Sequence, residues 1–148
     1  MVGSALRVLV ADDHEAVRRF VSSTLEKRLR LGLVGEASDG LEALWKAWEL
    51  KADIILLDIG LPKLNGFEVA RRIRERIPQL RIIFISTDCS IQMAQEAMRL
   101  GADGYVVKSD AGADLIPAIE AVVRGQKYIS SSLTNRVLTA SRSRERER

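Results

Sequence analysis

Five side chains that can bind a cation or a phosphoryl group follow short apolar runs of this sequence. Asp12 and Asp13 follow "LRVLVA", Asp58 ends "DIILLD", Ser86 ends "RIIFIS", and Lys108 ends "GYVVK". Carboxylates that converge raise one another's pKa values, and a divalent cation such as Mg²⁺ relieves their repulsion. One carboxylate of such a set can act as a nucleophile and form an acyl phosphate. The hydroxyl and the ammonium group can hold the oxygens of the transferred group.

The runs before these residues have the pattern of strands, and amphipathic segments separate them. The predicted strands are residues 6–10, 33–37, 53–58, 81–86 and 104–108. The first, third and fourth are short, rich in β-branched residues and almost uninterrupted, which is typical of strands covered on both faces. Each strand is followed by a segment with helical spacing. The second of these segments has an apolar face of Leu41, Leu44, Trp45 and Trp48.

Five strands that each precede a helix predict an α/β fold with a doubly wound, five-stranded parallel sheet and helices on both faces. In such sheets a ligand lies outside the carboxyl ends of the strands, where the strand order reverses. Asp58 ends the third predicted strand, so it lies where this fold class binds its ligands. If the first and third strands are neighbours, Asp12 and Asp13 reach the same edge as Asp58.

Composition and charge are those of a soluble globular protein. The chain has 148 residues, of which 47% are hydrophobic, and no apolar run approaches the roughly 20 residues that cross a bilayer. Its single cysteine, Cys89, cannot form an internal disulfide, which suits the cytoplasm. One cysteine and one histidine also exclude a zinc finger, and that histidine, His14, is interpreted as a surface or capping residue. The net charge of +3 comes from residues 129–148, which hold five Arg and two Glu.

The order of these motifs resembles the receiver domain of bacterial two-component response regulators. The resemblance covers residues 5–125 and rests on the acidic pair, "DIGLPKLNG" after the third strand, Ser86, and "GADGYVVK" at the fifth strand. It implies a flavodoxin-like sheet with the strand order 2-1-3-4-5. It also implies that a sensor histidine kinase transfers a phosphoryl group to Asp58, which later loses it by hydrolysis. Such a protein phosphorylates and dephosphorylates itself but is not a multiple-turnover enzyme.

The resemblance also implies the ligands of a bound Mg²⁺ (or Mn²⁺). Asp13 would bind the cation directly and Asp12 through a water molecule, beside the phosphoacceptor Asp58. The main-chain carbonyl of Gly60 would supply a further oxygen, and a glycine has no side chain to obstruct the approach of the backbone to the metal. These four residues are the predicted metal site.

Ser86 and Lys108 would contact the phosphoryl oxygens, and Tyr105 would respond to the phosphoryl group. By the same resemblance, that group draws the Ser86 hydroxyl inward, and the ring of Tyr105 rotates from an exposed to a buried position. Two residues depart from the family pattern. Ser109 stands where proline usually follows the lysine, which puts the reach of Lys108 in question. Thr87 stands where a small alanine is common, and it either crowds the phosphoacceptor or adds a second hydroxyl.

Residues 126–140 are predicted to form a linker helix, and residues 141–148 a disordered charged tail. The segment "VVRGQKYIS" resembles the subfamily whose receivers precede a LuxR-type helix-turn-helix domain. That resemblance implies control of transcription, with DNA bound only through an output domain that this chain does not contain. The chain is interpreted either as the receiver portion of a larger regulator or as a natural single-domain regulator. If phosphorylation drives homodimer formation, either the fourth- and fifth-helix face or the first- and fifth-helix face could serve.

Three other functions fit parts of the pattern. The same fold can serve as an interaction module that works without phosphorylation, which Ser109 and Thr87 favour but the intact acidic and basic residues do not. A flavodoxin-like cofactor binder shares the sheet, but no glycine-rich phosphate loop follows the first strand. A multiple-turnover enzyme needs a substrate pocket, and no motif marks one. We therefore predict a cytoplasmic phosphoacceptor domain with no membrane association.

Overall fold

The computed structural model describes residues 5–134, which form one sheet flanked by helices. The strands are β1 (Leu6–Ala11), β2 (Leu31–Ala37), β3 (Ile54–Asp58), β4 (Arg81–Ser86), β5 (Gly104–Val107) and β6 (Tyr128–Ile129). The helices are α1 (Glu15–Glu26), α2 (Gly40–Glu49), α3 (Gly66–Arg76), α4 (Ile91–Arg99) and α5 (Ala111–Val123), with a 3₁₀ turn at Lys108–Asp110. Within this described part of the chain, no helix combines the length and the apolar character needed to cross a bilayer.

All six strands are parallel and lie in the order β2-β1-β3-β4-β5-β6. This arrangement confirms the predicted doubly wound α/β fold and the order 2-1-3-4-5. The predicted sheet of five strands is extended by β6, whose two residues pair with Gly104 and Tyr105 of β5. A strand of two residues has too few positions to show an alternating pattern, so the sequence carries no signal for it.

β3 lies at the centre of the core, and all five of its residues are buried. Its successive side chains point to opposite faces of the sheet. Ile55 and Leu57 join the core beneath α2, α3 and α4, whereas Ile54 and Leu56 join the core beneath α1 and α5. Because both faces are covered, the strand is apolar without alternation, and it ends with Asp58 at the edge of the sheet.

The apolar face predicted for α2 is wrong for three of its four residues, whereas the fourth, Leu44, is partly buried and packs against the core. The helix turns small residues toward the core, and Ala43 and Ala47 are buried. Leu41, Trp45 and Trp48 lie on the outer face, with exposed fractions of 52%, 63% and 65%. Small side chains allow the helix to lie close to its neighbours, so the large apolar residues remain at the surface.

The predicted linker helix lies partly outside the described residues. Its first residues instead contain β6 (Tyr128–Ile129), and residues 131–134 are helical. Residues 135–140 of that prediction, and the predicted charged tail at 141–148, lie outside the described residues. The boundary between the receiver unit and a linker therefore stays a prediction.

Candidate functional site

The predicted carboxylates meet at the carboxyl ends of β1 and β3. These strands pair directly, and β2 and β4 lie on either side of them, so the sheet changes its winding direction here. Asp12, Asp13, His14 and Asp58 each offer one atom that can bind a metal, and these atoms all lie within 4.8 Å of one another. Asp12 and Asp58 are buried, with exposed fractions of 1% and 6%, whereas Asp13 is exposed. The site therefore has a buried floor and an open rim.

Lys108 extends from the 3₁₀ turn after β5 into this carboxylate cluster. Its Nζ lies 2.8 Å from Asp12 Oδ2 and 3.6 Å from Asp58 Oδ1, and its side chain is mostly buried. The lysine thus forms an ion pair with two carboxylates at once. Ser109, which follows it, is exposed and does not prevent the lysine from reaching the site.

Burial is the main reason why the pKa of Asp58 lies above its ordinary value, and the negative charge of Asp12 raises it further. The positive charge of Lys108 and a hydrogen bond from the Gly60 N–H oppose this rise without cancelling it. Among the described residues, Asp12 Oδ2 is buried and accepts no hydrogen bond, although the ammonium of Lys108 lies beside it as an ion pair. A buried carboxylate oxygen without a hydrogen bond is costly, so this set of hard oxygen atoms fits an additional cation.

His14 lies at the surface, as its interpretation has it, and its ring also contacts the acidic pair. Its Nδ1 lies 2.8 Å from Asp12 Oδ1 and 3.2 Å from Asp13 Oδ1. The residue occupies the N-cap position of α1, but its side chain makes no capping hydrogen bond. Its side chain is mostly exposed, so the acidic pair holds the ring at the rim of the site. The available signal was that His14 directly follows two aspartates.

The start of α3 packs directly against the loop after β3. The N–H of Gly66 donates to the Ile59 carbonyl at 2.7 Å. A Cβ placed on Gly66 would lie 2.3 Å from the Asp58 carbonyl oxygen, so only glycine fits there. A Cβ on Gly60 would meet nothing closer than Asp58 Oδ2 at 3.9 Å, which is an ordinary contact. Gly66 is thus required by the packing of the protein itself, and the open approach to a metal that we expected at Gly60 stays a prediction.

Ser86 and Tyr105 lie on the neighbouring strands at the same side of the site. Ser86 ends β4 one residue beyond the partner of Asp58, and its Oγ accepts the N–H of Asp88 at 3.0 Å. Tyr105 is completely buried, and its hydroxyl donates to the Asp88 carbonyl at 2.7 Å. Burial raises the pKa of this hydroxyl. The ring of Tyr105 is thus in the inward position, and its rotation stays a prediction. Thr87, which follows Ser86, is exposed.

Comparison of the sequence with known proteins finds one family and many relatives. The family model described as the response regulator receiver domain matches residues 8–120. The response regulator GacA of Pseudomonas viridiflava is 33% identical over 136 residues, which are 92% of this chain and 64% of GacA. The response regulator protein VraR of Staphylococcus aureus is 32% identical over 143 residues, which are 97% of this chain and 66% of VraR. The chain thus spans just under two thirds of the length of these relatives.

Solved structures resemble the whole described fold. The crystal structure of a LuxR-family two-component response regulator from Aurantimonas sp. has a TM-score of 0.87 and 33% identity, and the match covers 93% of this chain and 99% of that one. The isolated REC domain of RcsB from Salmonella enterica serovar Typhimurium, solved with the phosphomimetic BeF3⁻, has a TM-score of 0.83 and 26% identity. That match covers 89% of this chain and 98% of the RcsB domain.

Proposed function

Because the chain belongs to the receiver domain family of response regulators, we propose that Asp58 accepts a phosphoryl group from a sensor histidine kinase. Members of this family are signalling proteins rather than enzymes that turn over a substrate, in agreement with the sequence prediction. The observation that carries the proposal is the position of Asp58. It ends a buried central strand, has a raised pKa, and lies 3.6 Å from the ammonium of Lys108. Residues 5–125 are the proposed receiver unit.

The proposed reaction is a transfer between a histidine nitrogen and the Asp58 carboxylate. One carboxylate oxygen attacks the phosphorus, a P–O bond forms, and the P–N bond of the phosphohistidine breaks. The electron pair of the broken bond stays on the imidazole nitrogen, which takes up a proton. The phosphoryl group is later lost by hydrolysis. A water oxygen attacks the phosphorus, the bond to the carboxylate breaks, and inorganic phosphate leaves. The attacking carboxylate must be ionised, so its raised pKa sets the lower pH limit of the reaction.

Lys108 and Ser86 are the proposed contacts of the phosphoryl oxygens. Little covalent chemistry is needed in phosphoryl transfer, so positioning and electrostatic stabilisation account for most of the catalysis. Lys108 brings a largely buried positive charge to within 3.6 Å of the acceptor oxygen. The hydroxyl of Ser86 reaches the same edge because β4 pairs with β3 in register. We propose that Ser86 and Tyr105 also form the switch that changes the surface built from α4, β5 and α5.

The proposed metal site uses Asp12, Asp13 and Asp58, with the main-chain carbonyl of Gly60. Support comes from the convergence of the three carboxylates and from the Asp12 Oδ2 atom, which accepts no hydrogen bond among residues 5–134. Hard oxygen donors of this kind select Mg²⁺ or Mn²⁺. When bound, such a cation neutralises carboxylate charge and stabilises the negative charge of phosphoryl oxygens.

The proposed output is control of transcription. The relatives GacA and VraR are longer than this chain, and a LuxR-family response regulator is among the similar structures. We propose that DNA is bound through a LuxR-type output domain reached by a linker at residues 126–140. A solved structure of two RcsB dimers on DNA supports homodimer formation as part of this mechanism. The proposed site of action is the cytoplasm.

Phosphorylation of the intact chain tests the proposal. The chain is incubated with acetyl phosphate and Mg²⁺, and its mass is measured for the addition of one phosphoryl group. We expect Asp58→Asn to reduce labelling by at least about 100-fold, because the nucleophile is removed. Asp53→Asn is the matched control, since Asp53 directly precedes β3, at the end opposite to Asp58, and accepts the Arg7 N–H. Full labelling of Asp58→Asn would place the acceptor elsewhere, and an unlabelled parent chain would favour an interaction module that works without phosphorylation.

A further inference from the structure

A second group of acidic residues lies next to the proposed site, where β5 leads into α5. The carboxylates of Asp110 and Asp114 accept hydrogen bonds from the segment that follows α5. We call this group the Ser130 cluster, and it comprises Asp110, Asp114, Tyr128, Ser130, Ser131 and Ser132. Ser130 is completely buried, and Asp114 is 5% exposed. The cluster therefore has a buried centre of Ser130 and Asp114, and its other members lie nearer the surface.

The hydroxyl of Ser130 is bonded to the chain on both sides of Lys108. Its oxygen accepts the N–H of Val107 at 3.1 Å, directly before the lysine. Its single proton is shared between Asp110 Oδ2 at 2.8 Å and Asp114 Oδ2 at 3.0 Å. Asp110 ends the 3₁₀ turn that begins with the lysine. One hydroxyl thus holds the backbone from which Lys108 extends into the carboxylate cluster.

The main chain of Ser130 bonds both to β5 and to the segment that follows Ser130. Its N–H donates to the Tyr105 carbonyl at 2.8 Å, which continues the pairing of β5 with β6. Its carbonyl accepts the N–H groups of Leu133 and Thr134, both at 3.0 Å, and so begins the helical residues 131–134. Leu133 is completely buried. The same residue therefore contacts the strand with Tyr105, the turn with Lys108 and the first helical turn after β6.

We propose that Ser130 and Asp110 are positioning residues for Lys108 and that they link occupancy of the Asp58 site to residues 131–134. The inference rests on the proposed function, because it assumes that a phosphoryl group on Asp58 attracts the lysine. Lys108 is 2.8 Å from Asp12 and 3.6 Å from Asp58, so new negative charge on Asp58 pulls it away from Asp12. The 3₁₀ turn that begins with Lys108 transmits that pull to the Ser130 hydroxyl, which Asp110 and Asp114 share.

Coupling of this kind is reciprocal. If a phosphoryl analogue bound at Asp58 changes the stability of residues 131–134, then loosening the contacts of those residues must change the affinity for the analogue. Both effects correspond to one coupling free energy. The position after Lys108 is occupied by Ser109, which is exposed and cannot fix the turn as a proline ring would. The Ser130 cluster supplies that restraint through hydrogen bonds instead.

The test measures the affinity of the intact chain for beryllofluoride in the presence of Mg²⁺ by isothermal titration calorimetry. We expect Ser130→Ala and Asp110→Ala each to weaken binding about 5- to 20-fold, within the range of ordinary coupling between sites. Asp110 is only half-buried, so we expect Asp110→Ala to keep the fold even if Ser130→Ala proves unstable. Ser109→Ala is the matched control, because it removes an exposed hydroxyl from the same turn and leaves Ser130 and Asp110 in place. Hydrogen exchange of residues 131–134 should respond to beryllofluoride in the parent and the control but not in Asp110→Ala.

A double-mutant cycle separates positioning from general loss of structure. In a Lys108→Ala background, Asp110→Ala and Ser130→Ala should cause no additional loss of affinity, since the residue that they position is gone. An equal loss in both backgrounds would overturn the inference, as would unchanged affinity in both single variants. Failure of the parent chain to bind beryllofluoride would contradict the proposed function itself, and this inference would fall with it.

Discussion

Two buried aspartates of this domain, Asp58 and Asp114, are almost equally hidden from solvent but differ in their hydrogen bonds. Their exposed fractions are 6% and 5%. Burial and the charge of Asp12 raise the pKa of Asp58. Burial also acts to raise the pKa of Asp114, but hydrogen bonds from the Ser131 N–H and the Tyr128 hydroxyl, at 3.0 and 2.9 Å, bring it below its ordinary value. Depth alone therefore does not determine the state of a buried carboxylate, and the number of donors around it does.

The comparison separates a structural cluster around Asp114 from the proposed phosphoacceptor site of Asp12, Asp13 and Asp58, which we call the reactive cluster. Asp114 has enough donors to remain ionised without a further partner, so its charge stabilises the fold. Asp58 and Asp12 share one lysine between two carboxylates. Carboxylates that lack enough compensating positive charge are common at functional sites. A ligand that supplies the missing charge binds there with a large gain in free energy. We therefore expect opposite responses from the two clusters when their charges are removed.

The largest effect on stability is expected from Asp114→Ala. This change removes the acceptor of several hydrogen bonds to a buried charge, and each is worth about 1.5–3 kcal/mol before the remaining groups rearrange. We expect the free energy of unfolding to fall by about 2–4 kcal/mol in urea denaturation. Ser132→Ala removes one exposed hydroxyl that donates to Asp110. It should change the free energy of unfolding by less than about 0.5 kcal/mol. A loss as small as that of the control would show that Asp114 does not hold the segment after α5.

Addition of Mg²⁺ should give the next largest effect, and only through the reactive cluster. Millimolar Mg²⁺ should raise the free energy of unfolding of the parent chain by about 1–2 kcal/mol if it is present at 10 to 30 times its dissociation constant. Asp13→Asn should remove this gain, because Asp13 is one of the three converging carboxylates. Asp114→Asn should keep the gain, although it lowers the starting stability. An equal response of all three proteins would place the bound cation outside the acidic cluster.

Removal of the charge of Asp58 should stabilise the protein in the absence of a divalent cation. Asp58→Asn ends the repulsion with Asp12 and leaves Lys108 paired with a single carboxylate at 2.8 Å. We expect a gain of about 0.5–1 kcal/mol in the free energy of unfolding with a chelator present, the size of one partly screened charge interaction. Asp53→Asn, directly before the start of β3, should give no gain. A clear loss in Asp58→Asn would mean that the site is electrostatically satisfied without a cation.

Much of the fold could be predicted from the sequence, because the strands that matter most are buried on both faces. β3 shows this best, since Ile54, Ile55, Leu56 and Leu57 form an unbroken apolar run that ends in Asp58. The helix after β2 could not be predicted in the same way. Its large apolar residues, including Trp45 and Trp48, are exposed, because the close packing of α2 selects alanine on the inner face. Size and not hydrophobicity decided which face is buried.

The acidic cluster was predictable because strand ends of a parallel sheet meet at one edge, which brings Asp12 and Asp58 together. The Ser130 cluster was not. Asp110 and Ser130 are separated by the whole of α5, and no motif spacing relates them. Their contact depends on the pairing of β6 with β5, and β6 is too short to detect. A site that rests on regular topology is visible in a sequence, whereas one that rests on a short irregular segment needs the structure.

The smallest expected effect is also the sharpest distinction between the two carboxylates, because their contributions to stability change with pH in opposite directions. Asp58 has a folded-state pKa above 3.8, so the folded protein binds a proton first, and stability rises as the pH falls through that raised pKa. Asp114 has a folded-state pKa below 3.8, so its contribution is complete above pH 3.8 and is lost as the pH falls below it. Urea unfolding of the parent, Asp58→Asn and Asp114→Asn between neutral and strongly acidic pH measures both. The difference between parent and Asp58→Asn should close as the pH falls from the raised pKa of Asp58 to about 3.8, and the difference between parent and Asp114→Asn should shrink only as the pH falls further, towards the lowered pKa of Asp114. Two differences that close over the same pH range would mean that both carboxylates titrate alike, and the contrast between a reactive and a structural cluster would be lost.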